Sequence, residues 1–508
     1  MSPALRASLP FLALSVTIVI VMLVIAARRD HRTTAILSAI GLVISLVTIA
    51  VAAPVTPIAV TPMFMVDGFA LFFLALILLA SLAVVVLSFS YLEGTRDGPY
   101  DEYYLLILLA TLGAAALLAS VHFASFFLGL ETLSIALIGL IAYPRARVGA
   151  IEAGVKYLLL AGVASAFLLF GIALIYLDFG TMSFAALGKA WNAAHAPTDI
   201  YAYTGFAMLL TGIGFKLSLV PFHMWAPDIY EGAPAPVTGY VAVVSKIAVF
   251  ALLLRYFILM DGYHDHSLLR AIAIVAILSM LAGNLLALLQ NNVKRILAYS
   301  SIAHLGYVLV ALLAGGAIGI EAAGYYLAAY AVTTIGAFGV VAVLSRRGSP
   351  TDTDQLEAYR GLMWTRPWLA GAFTAFLLSL AGIPPTMGFI AKVYVMASGV
   401  GPSLYWPLAA LVIGSVIGLY YYLRIIVVLF SPVPRAETPP AADGLSWPGG
   451  LTLAVLVILL IWLGVYPRPV VSVARHTTTA LVVHHQAVQT AENLSERQGE
   501  TGFIGTGN

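Results

Sequence analysis

Apolar windows of about 20 residues recur along almost the whole chain, each long enough to cross the roughly 30 Å of hydrocarbon in a bilayer. The pattern predicts an all-α integral membrane fold of about fourteen transmembrane helices, over 8–27, 34–53, 68–92, 103–120, 123–143, 153–177, 202–225, 234–259, 268–289, 298–315, 321–345, 367–399, 404–430 and 449–467. The first stretch ends in Arg28 and Arg29 rather than in a small-residue cleavage site, so it reads as a spanning helix and not as a removed signal. The longest connections, 178–201, 346–366 and 431–448, are too short for a soluble domain. After Val470 the chain turns polar, and Glu492 to Asn508 has the composition of a disordered tail.

Basic residues orient these helices. Connections after odd-numbered helices hold Arg28, Arg29, Arg32, Arg96, Arg145, Arg147, Lys294, Arg295, Arg346, Arg347, Arg360, Arg366 and Arg435, while the others hold little beyond Lys189 and Arg270. By the positive-inside rule the odd connections face the cytoplasm, and both termini face the periplasm of a bacterial inner membrane.

Two helices carry proline near their middle. The seventh reads Gly212-Ile-Gly-Phe-Lys216-Leu-Ser-Leu-Val-Pro221-Phe-His223, and the twelfth Gly382-Ile-Pro384-Pro385-Thr-Met-Gly388-Phe-Ile-Ala-Lys392. Each proline removes a backbone donor and frees a carbonyl, which inside a membrane must find a partner or a watery cavity. Broken helices five apart run in opposite directions, as two inverted five-helix repeats would place them, and such pairs point to an ion site. The expected organisation is helices 1–3 (residues 1–102), a first repeat of helices 4–8 (103–260), a second of helices 9–13 (261–430), a loop with helix 14 (431–470) and a polar tail (471–508).

Composition narrows the function. Charged residues make up 9% of the 508, against roughly a quarter in soluble domains. No basic run suggests a nucleic-acid partner. The absence of cysteine excludes disulfides and thiolate-held iron–sulfur clusters, and neither a P-loop nor a dinucleotide fingerprint is present. No cofactor or metal is expected in this chain.

The charges that do fall within the spans are therefore informative, because one near the bilayer centre costs at least about 2.5–3.5 kcal/mol. They are Glu131 in helix 5, Lys216 before the first break, Lys246 near the middle of helix 8 and Lys392 after the second break. The bland reading of each is a structural ion pair. The functional reading is a proton relay: desolvation disfavours a charged amine, so a buried lysine can release H⁺ when a neighbouring charge changes. Glu131 would modulate Lys216, which passes its proton through water towards Lys246 and Lys392, all with coupled titrations. His223 and His304 could relay between lysines or simply satisfy freed carbonyls. Lys156 reads equally as a snorkelling or an uptake residue. Lys294 and Arg295 read first as orientation charges and second as part of a proton entrance, while Asp228 and Glu231 read as solvated at the cytoplasmic end of helix 7. His264-Asp-His266 has metal-ligand spacing but lies in a short outer loop without further ligands. The clusters Tyr325-Tyr326 and Tyr420-Tyr421-Tyr422 read as packing or interfacial anchors.

Four segments carry a resemblance: Glu152-Ala-Gly-Val-Lys156-Tyr157, the run from Gly214 to Val237 around Lys216, Pro221, His223 and Glu231, the run from Asn292 to Tyr307 around Lys294 and His304, and Ala381 to Lys392 with Pro384 and Pro385. In these the chain resembles the antiporter-like subunits of respiratory complex I over nearly its whole length. The resemblance implies two inverted five-helix repeats and a proton path through Glu131, Lys216, Lys246 and Lys392. It also implies a place in the membrane arm between small subunits A, J and K and a further antiporter-like subunit M, with flavin, iron–sulfur clusters and quinone held by partner subunits. Rival readings are a subunit of a multi-subunit sodium/proton antiporter, a non-conducting scaffold of the arm, and an autonomous solute transporter, for which the midplane offers too few varied polar groups.

Overall fold

The protein is described from a computed structural model over residues 1–93, 100–193, 200–345, 351–432 and 447–475. Fourteen apolar spans form, as the hydropathy pattern requires: α1 (Leu9–Ala27), α2 (His31–Ala52), α3 (Gly68–Leu92), α4 (Asp101–Ala119), α5 (Phe123–Ile141), α6 (Val148–Phe179), α7 (Ile200–Leu217, resuming as Trp225–Gly232), α8 (Ala235–Leu259), α9 (His266–Leu288), α10 (Val293–Ala314), α11 (Gly316–Leu344), α12 (Pro367–Ala381, resuming as Met387–Val400), α13 (Tyr405–Phe430) and α14 (Trp447–Val465). Arg96, Arg346, Arg347, Arg435 and residues 476–508 lie outside the described residues.

Two boundaries differ from the hydropathy reading for the same reason. α10 begins at Val293 rather than at 298, with Asn292 capping it through a bond from the Arg295 amide, and so takes Lys294 and Arg295 into its first turn. α6 begins at Val148 rather than at 153 and so takes in Glu152, which pairs with Lys156 one turn on. An apolar window excludes such charges, but ion pairs let the helix include them. The sequence reading also missed a short hairpin, Ile58–Thr61 against Phe64–Val66, between α2 and α3. The start of the expected polar tail is partly helical, residues 468–475.

α8 and α10 are wholly buried and α11 nearly so, while α1, α2, α6, α9, α13 and α14 form the rim. Close approach of helix backbones builds this arrangement, and it does so twice. A Cβ on Gly113 of α4 would lie 2.5 Å from the Leu133 amide and 2.8 Å from the Gly129 carbonyl of α5. A Cβ on Gly283 of α9 would meet the Ala303 amide at 2.7 Å and the Tyr299 carbonyl at 2.8 Å on α10. Small residues allow such contact where no water drives helices together. The equivalence of Leu133 with Ala303 aligns Ser134 with His304 and Glu131 with Ser301.

The breaks repeat as well. At the first, the Leu219 amide bonds the Gly214 carbonyl and the Ser218 amide the Phe215 carbonyl, with Ser218 left-handed at φ 58°. At the second, Ile383 bonds Leu378 and Gly382 bonds Ser379, with Gly382 at φ 85°. Both are the paired-bond cap that ends a helix around one left-handed residue. Pro221 and Pro385 follow at the same offset of three residues, and no amide is lost from either helix.

Sequence reasoning passed over one buried ion pair. Arg255, near the end of α8, donates two bonds of 2.8 and 2.7 Å to Asp67, the residue that caps α3. Both are essentially inaccessible, at 0% and 2% exposure. Removing either partner leaves an uncompensated buried charge, worth about 3–5 kcal/mol. Asp67→Asn and Arg255→Met should each lower the unfolding temperature of the purified assembly by several degrees. Asp67→Leu combined with Arg255→Met should recover most of that loss.

Candidate functional site

The three amines predicted to carry protons all point into the bundle. Lys216 is 6%, Lys246 0% and Lys392 6% exposed, so none reaches lipid headgroups. Lys216 closes the first half of α7 and donates to the Ser134 hydroxyl on α5 at 2.6 Å, above the ring of Tyr157. Lys246 follows a π-helical turn, Val241–Ser245, inside α8. Such turns mark local re-aiming of a helix and are frequent at functional sites. Its amine donates to Ser301 of α10 at 2.8 Å, and Ser301 in turn bonds the Tyr330 hydroxyl of α11 at 2.5 Å. Lys392 reaches back across the second break to the Ala381 carbonyl at 2.9 Å. It thereby satisfies one of the acceptors that the break leaves open.

Each of these bonds is to a neutral group, and among the described residues none of the three amines forms an ion pair. The other buried cations behave differently. Arg255 is locked to Asp67, and Lys294, at 1% exposure, is locked to Asp352 at 2.8 Å and to the Ala233 carbonyl at 2.6 Å. A carboxylate partner holds the proton on an amine, whereas a hydroxyl or carbonyl supports the charged form less strongly. The bundle thus holds two kinds of buried cation, those paired with a carboxylate and those bonded to neutral groups.

His304 lies between the second and third amines. It bonds the Tyr326 hydroxyl at 2.7 Å and the Tyr422 hydroxyl at 3.3 Å, and Tyr422 also bonds Ser300. The ring of Tyr307, under the Lys392 amine at 5.3 Å, carries a hydroxyl held by Asn284 at 2.9 Å. Reading the tyrosine clusters as packing or interfacial anchors leaves out the hydrogen bonds that some of them make. It suits exposed Tyr420, and Tyr325 ties α11 to the Leu463 carbonyl, but Tyr326 and Tyr422 belong to the buried polar row. Tyr330, Ser301, Ser134 and Asn284 were missed, because single hydroxyls and amides in an apolar helix give no periodic signal.

Several expected roles change. Glu131 is half-buried and accepts from the Ser165 hydroxyl; it forms no ion pair with Lys216, yet sits one helical turn from Ser134, which the amine does bond. His223 does not cap the carbonyls freed at its break, and neither ring nitrogen has a partner among the described residues. The Trp225 indole does that work instead, donating to the Phe215 carbonyl at 2.8 Å. Lys294 is not a surface orientation charge, for the reason given above. Lys156 bridges Glu152 at 2.7 Å and Asp228 at 3.3 Å on the rim of a polar cavity of about 410 Å³, also lined by Glu231 and Asp352. Asp228 and Glu231 both pair with Arg295 at 2.8 Å. His264 pairs with Asp261, and Asp265 caps α9.

Asp352 fastens the connection between α11 and α12 over this cavity. It accepts from Lys294, from Arg147 at 2.9 Å and from the Tyr91 hydroxyl at 2.5 Å. Backbone bonds from Val293 to Asp354 and from Leu356 to Asn291 strap the same segment to the start of α10. Burial pushes the Asp352 carboxyl upward, but Lys294 and Arg147 outweigh it and hold the group below its ordinary value.

Fold and site together define an antiporter-like, ion-conducting membrane subunit. The family described as NADH:quinone oxidoreductase/Mrp antiporter, transmembrane, matches residues 120–418, and the chain belongs to it. A similar protein is NADH-quinone oxidoreductase subunit N of Ectopseudomonas mendocina (strain ymp), 46% identical over 477 residues, which are 93% of this chain and 96% of that one. Among solved structures, a chain of respiratory complex I from Thermus thermophilus with bound aureothin is 33% identical, with a TM-score of 0.78 over 92% of this chain and 99% of that chain. A chain of the archaeal membrane-bound sulfane sulfur reductase is 27% identical, with a TM-score of 0.80 over 94% and 97%. A chain of the Mrp complex from Dietzia sp. DQ12-45-1b shares the fold at 23% identity, with a TM-score of 0.83 over 96% and 100%.

Two outcomes follow from the geometry. A Cβ at Gly382 would lie 2.8 Å from the Lys392 side chain and at a φ that L-residues avoid. Gly382→Ala should therefore displace the amine and cut proton pumping severalfold in an assembled complex, whereas Ser218→Gly should leave pumping intact. Asp352 stabilises the strap while ionised, above an unfolded-state value of about 3.9, and this is lost as pH falls through its depressed folded value. Limited proteolysis should find residues 351–359 protected at pH 5 and cut only below about pH 4, and Asp352→Asn should expose them at neutral pH.

Proposed function

We propose that the chain is a proton-translocating membrane-arm subunit of an NADH:quinone oxidoreductase, of the subunit N type. The observation that carries this is the row of buried amines, each bonded to neutral groups and interleaved with hydroxyls and an imidazole. The route runs from Lys216 and Ser134, under the influence of Glu131, through Lys246, Ser301 and Tyr330, to His304 and Lys392. Water completes the links between bonded pairs. Lys156, Lys294 and the polar cavity form the cytoplasmic mouth. His223, whose ring nitrogens have no partner among the described residues, is placed to relay beside the first break.

Identity to the E. mendocina protein supports the N type. So does Lys392 in α12, where the resembling subunit M carries glutamate. In this reading the repeats span 103–260 and 261–430. Subunits A, J and K lie on one side and M on the other, both termini face the periplasm, and flavin, iron–sulfur and quinone chemistry belongs to partner subunits. The chain is part of an enzyme without performing its redox step. A sodium/proton antiporter subunit is the alternative, supported here by likeness of fold alone; a non-conducting scaffold leaves the neutral bonding of three buried amines without a purpose.

Lys246→Ala tests this in the whole assembly. NADH:quinone turnover and proton pumping should both fall about tenfold or more, the scale of a lost proton-transfer group, while assembly persists. Unchanged pumping would favour the scaffold, and peripheral redox subunits failing to co-purify would favour the antiporter. Tyr330→Phe, which keeps the packing and removes one hydroxyl, should lower pumping without affecting assembly.

A further inference from the structure

Two lines of polar side chains join Tyr422 to the third amine. One passes through His304, which bonds the Tyr422 hydroxyl at 3.3 Å and sets its ring edge-on to Tyr307, with centroids 5.4 Å apart. The other passes through α9. The Tyr421 ring lies 4.4 Å from that of Tyr422, and its hydroxyl donates to Asn284 Oδ1 at 3.1 Å. Asn284 Nδ2 in turn donates to the Tyr307 hydroxyl at 2.9 Å. Both lines end at the Tyr307 ring, over which the Lys392 amine stands at 5.3 Å. The proposed route uses the first line, and Asn284 is the member of the second that carries no hydroxyl.

The backbone fixes which end of this amide faces which tyrosine. Asn284 is buried, and the Met280 carbonyl 2.7 Å from it can only accept, so the atom facing that carbonyl is the nitrogen. Both amide protons are then used, on Met280 and Tyr307, and the oxygen is left for Tyr421. An amide held in this way passes no proton. Its nitrogen lone pair is delocalised into the carbonyl and accepts nothing. A hop from Tyr421 to Tyr307 would turn the side chain into an imidic acid, a much less stable tautomer. A carboxyl group, almost the same shape, takes a proton on one oxygen and gives one from the other. Two glycines of α13, one turn apart, hold the amide in place: a Cβ at Gly414 would lie 2.8 Å from Nδ2, and one at Gly418 3.1 Å from Oδ1. The α13 backbone thus covers that face of Asn284.

We propose, resting on the proton-conducting reading above, that Asn284 insulates the second line, so that protons moving between Lys246 and Lys392 must load His304. A titratable group at this position would complete a line from Tyr422 to Tyr307, and a proton could then skirt the imidazole. The amide keeps the hydrogen bonds that tie α9 to α10 and α13 while withholding the hop.

The test is rescue in the whole complex, reconstituted in vesicles, with proton pumping read against NADH:quinone turnover. His304→Gln puts an amide into the first line as well. It can still bond Tyr422, yet by the same chemistry it passes no proton, and pumping should fall severalfold with assembly kept. Adding Asn284→Asp opens the second line and should recover most of that loss. Asn284→Leu in the same background should recover nothing, and Tyr421→Phe should cancel the recovery by removing the hydroxyl that feeds the carboxyl. Should His304→Gln not assemble, His304→Phe, which keeps a ring among Tyr307, Tyr326 and Tyr330, takes its place. Full pumping in the His304 variant, no gain from Asn284→Asp, or a gain that survives Tyr421→Phe would overturn the proposal. Lys246→Ala separates it from the reading it depends on. If that change leaves pumping intact, the relay itself falls; if it abolishes pumping while Asn284→Asp rescues nothing, only the insulator does.

Discussion

A protonated amine removed from water must be given dipoles by the protein, and the kind of dipole decides whether it keeps its proton. This constraint orders the bundle. Where a cation serves only to hold helices together, a carboxylate neutralises it, as Asp67 does for Arg255 and Asp352 for Lys294 and Arg147. Lys216, Lys246 and Lys392 instead take a serine hydroxyl or a backbone carbonyl as partner. Such partners support the charge without pinning it. α8, α10 and α11, at the centre of the packing, carry Lys246 with its partner Ser301 and the Tyr330 hydroxyl that Ser301 bonds.

The spans and the two breaks were legible from the sequence because they rest on signals that need no tertiary information: apolar length and proline. The buried lysines stood out for the same reason, since each is a single charge in an apolar run. Their partners did not. Ser134 becomes meaningful only when the Gly113–Leu133 contact brings α5 to its neighbours, and Ser301 only when a π turn aims Lys246 at α10. Lys294 misled because its position beside Arg295, at a helix start, looks identical whether a strap buries it or not. Asp352, more than fifty residues away, makes that difference.

The same reasoning explains the exchange of roles between His223 and Trp225. Either side chain can donate to a freed carbonyl, and nothing local chooses between them. The choice comes from how the second half of α7 packs against α6, which turns the indole towards the Phe215 carbonyl and leaves the imidazole without a partner among the described residues. Reading a motif assigns chemistry to a cluster; packing assigns it to a member.

The paired caps at the two breaks have a consequence for substitution. Aligned on Ser218 and Gly382, they put Lys216 two residues ahead of the left-handed residue in one half and Lys392 ten residues beyond it in the other. The hinge is therefore a module of backbone bonds that does not depend on where its half keeps a titratable group. A titratable group can therefore move along the helix by substitution, or change its chemistry, without the break being rebuilt around it.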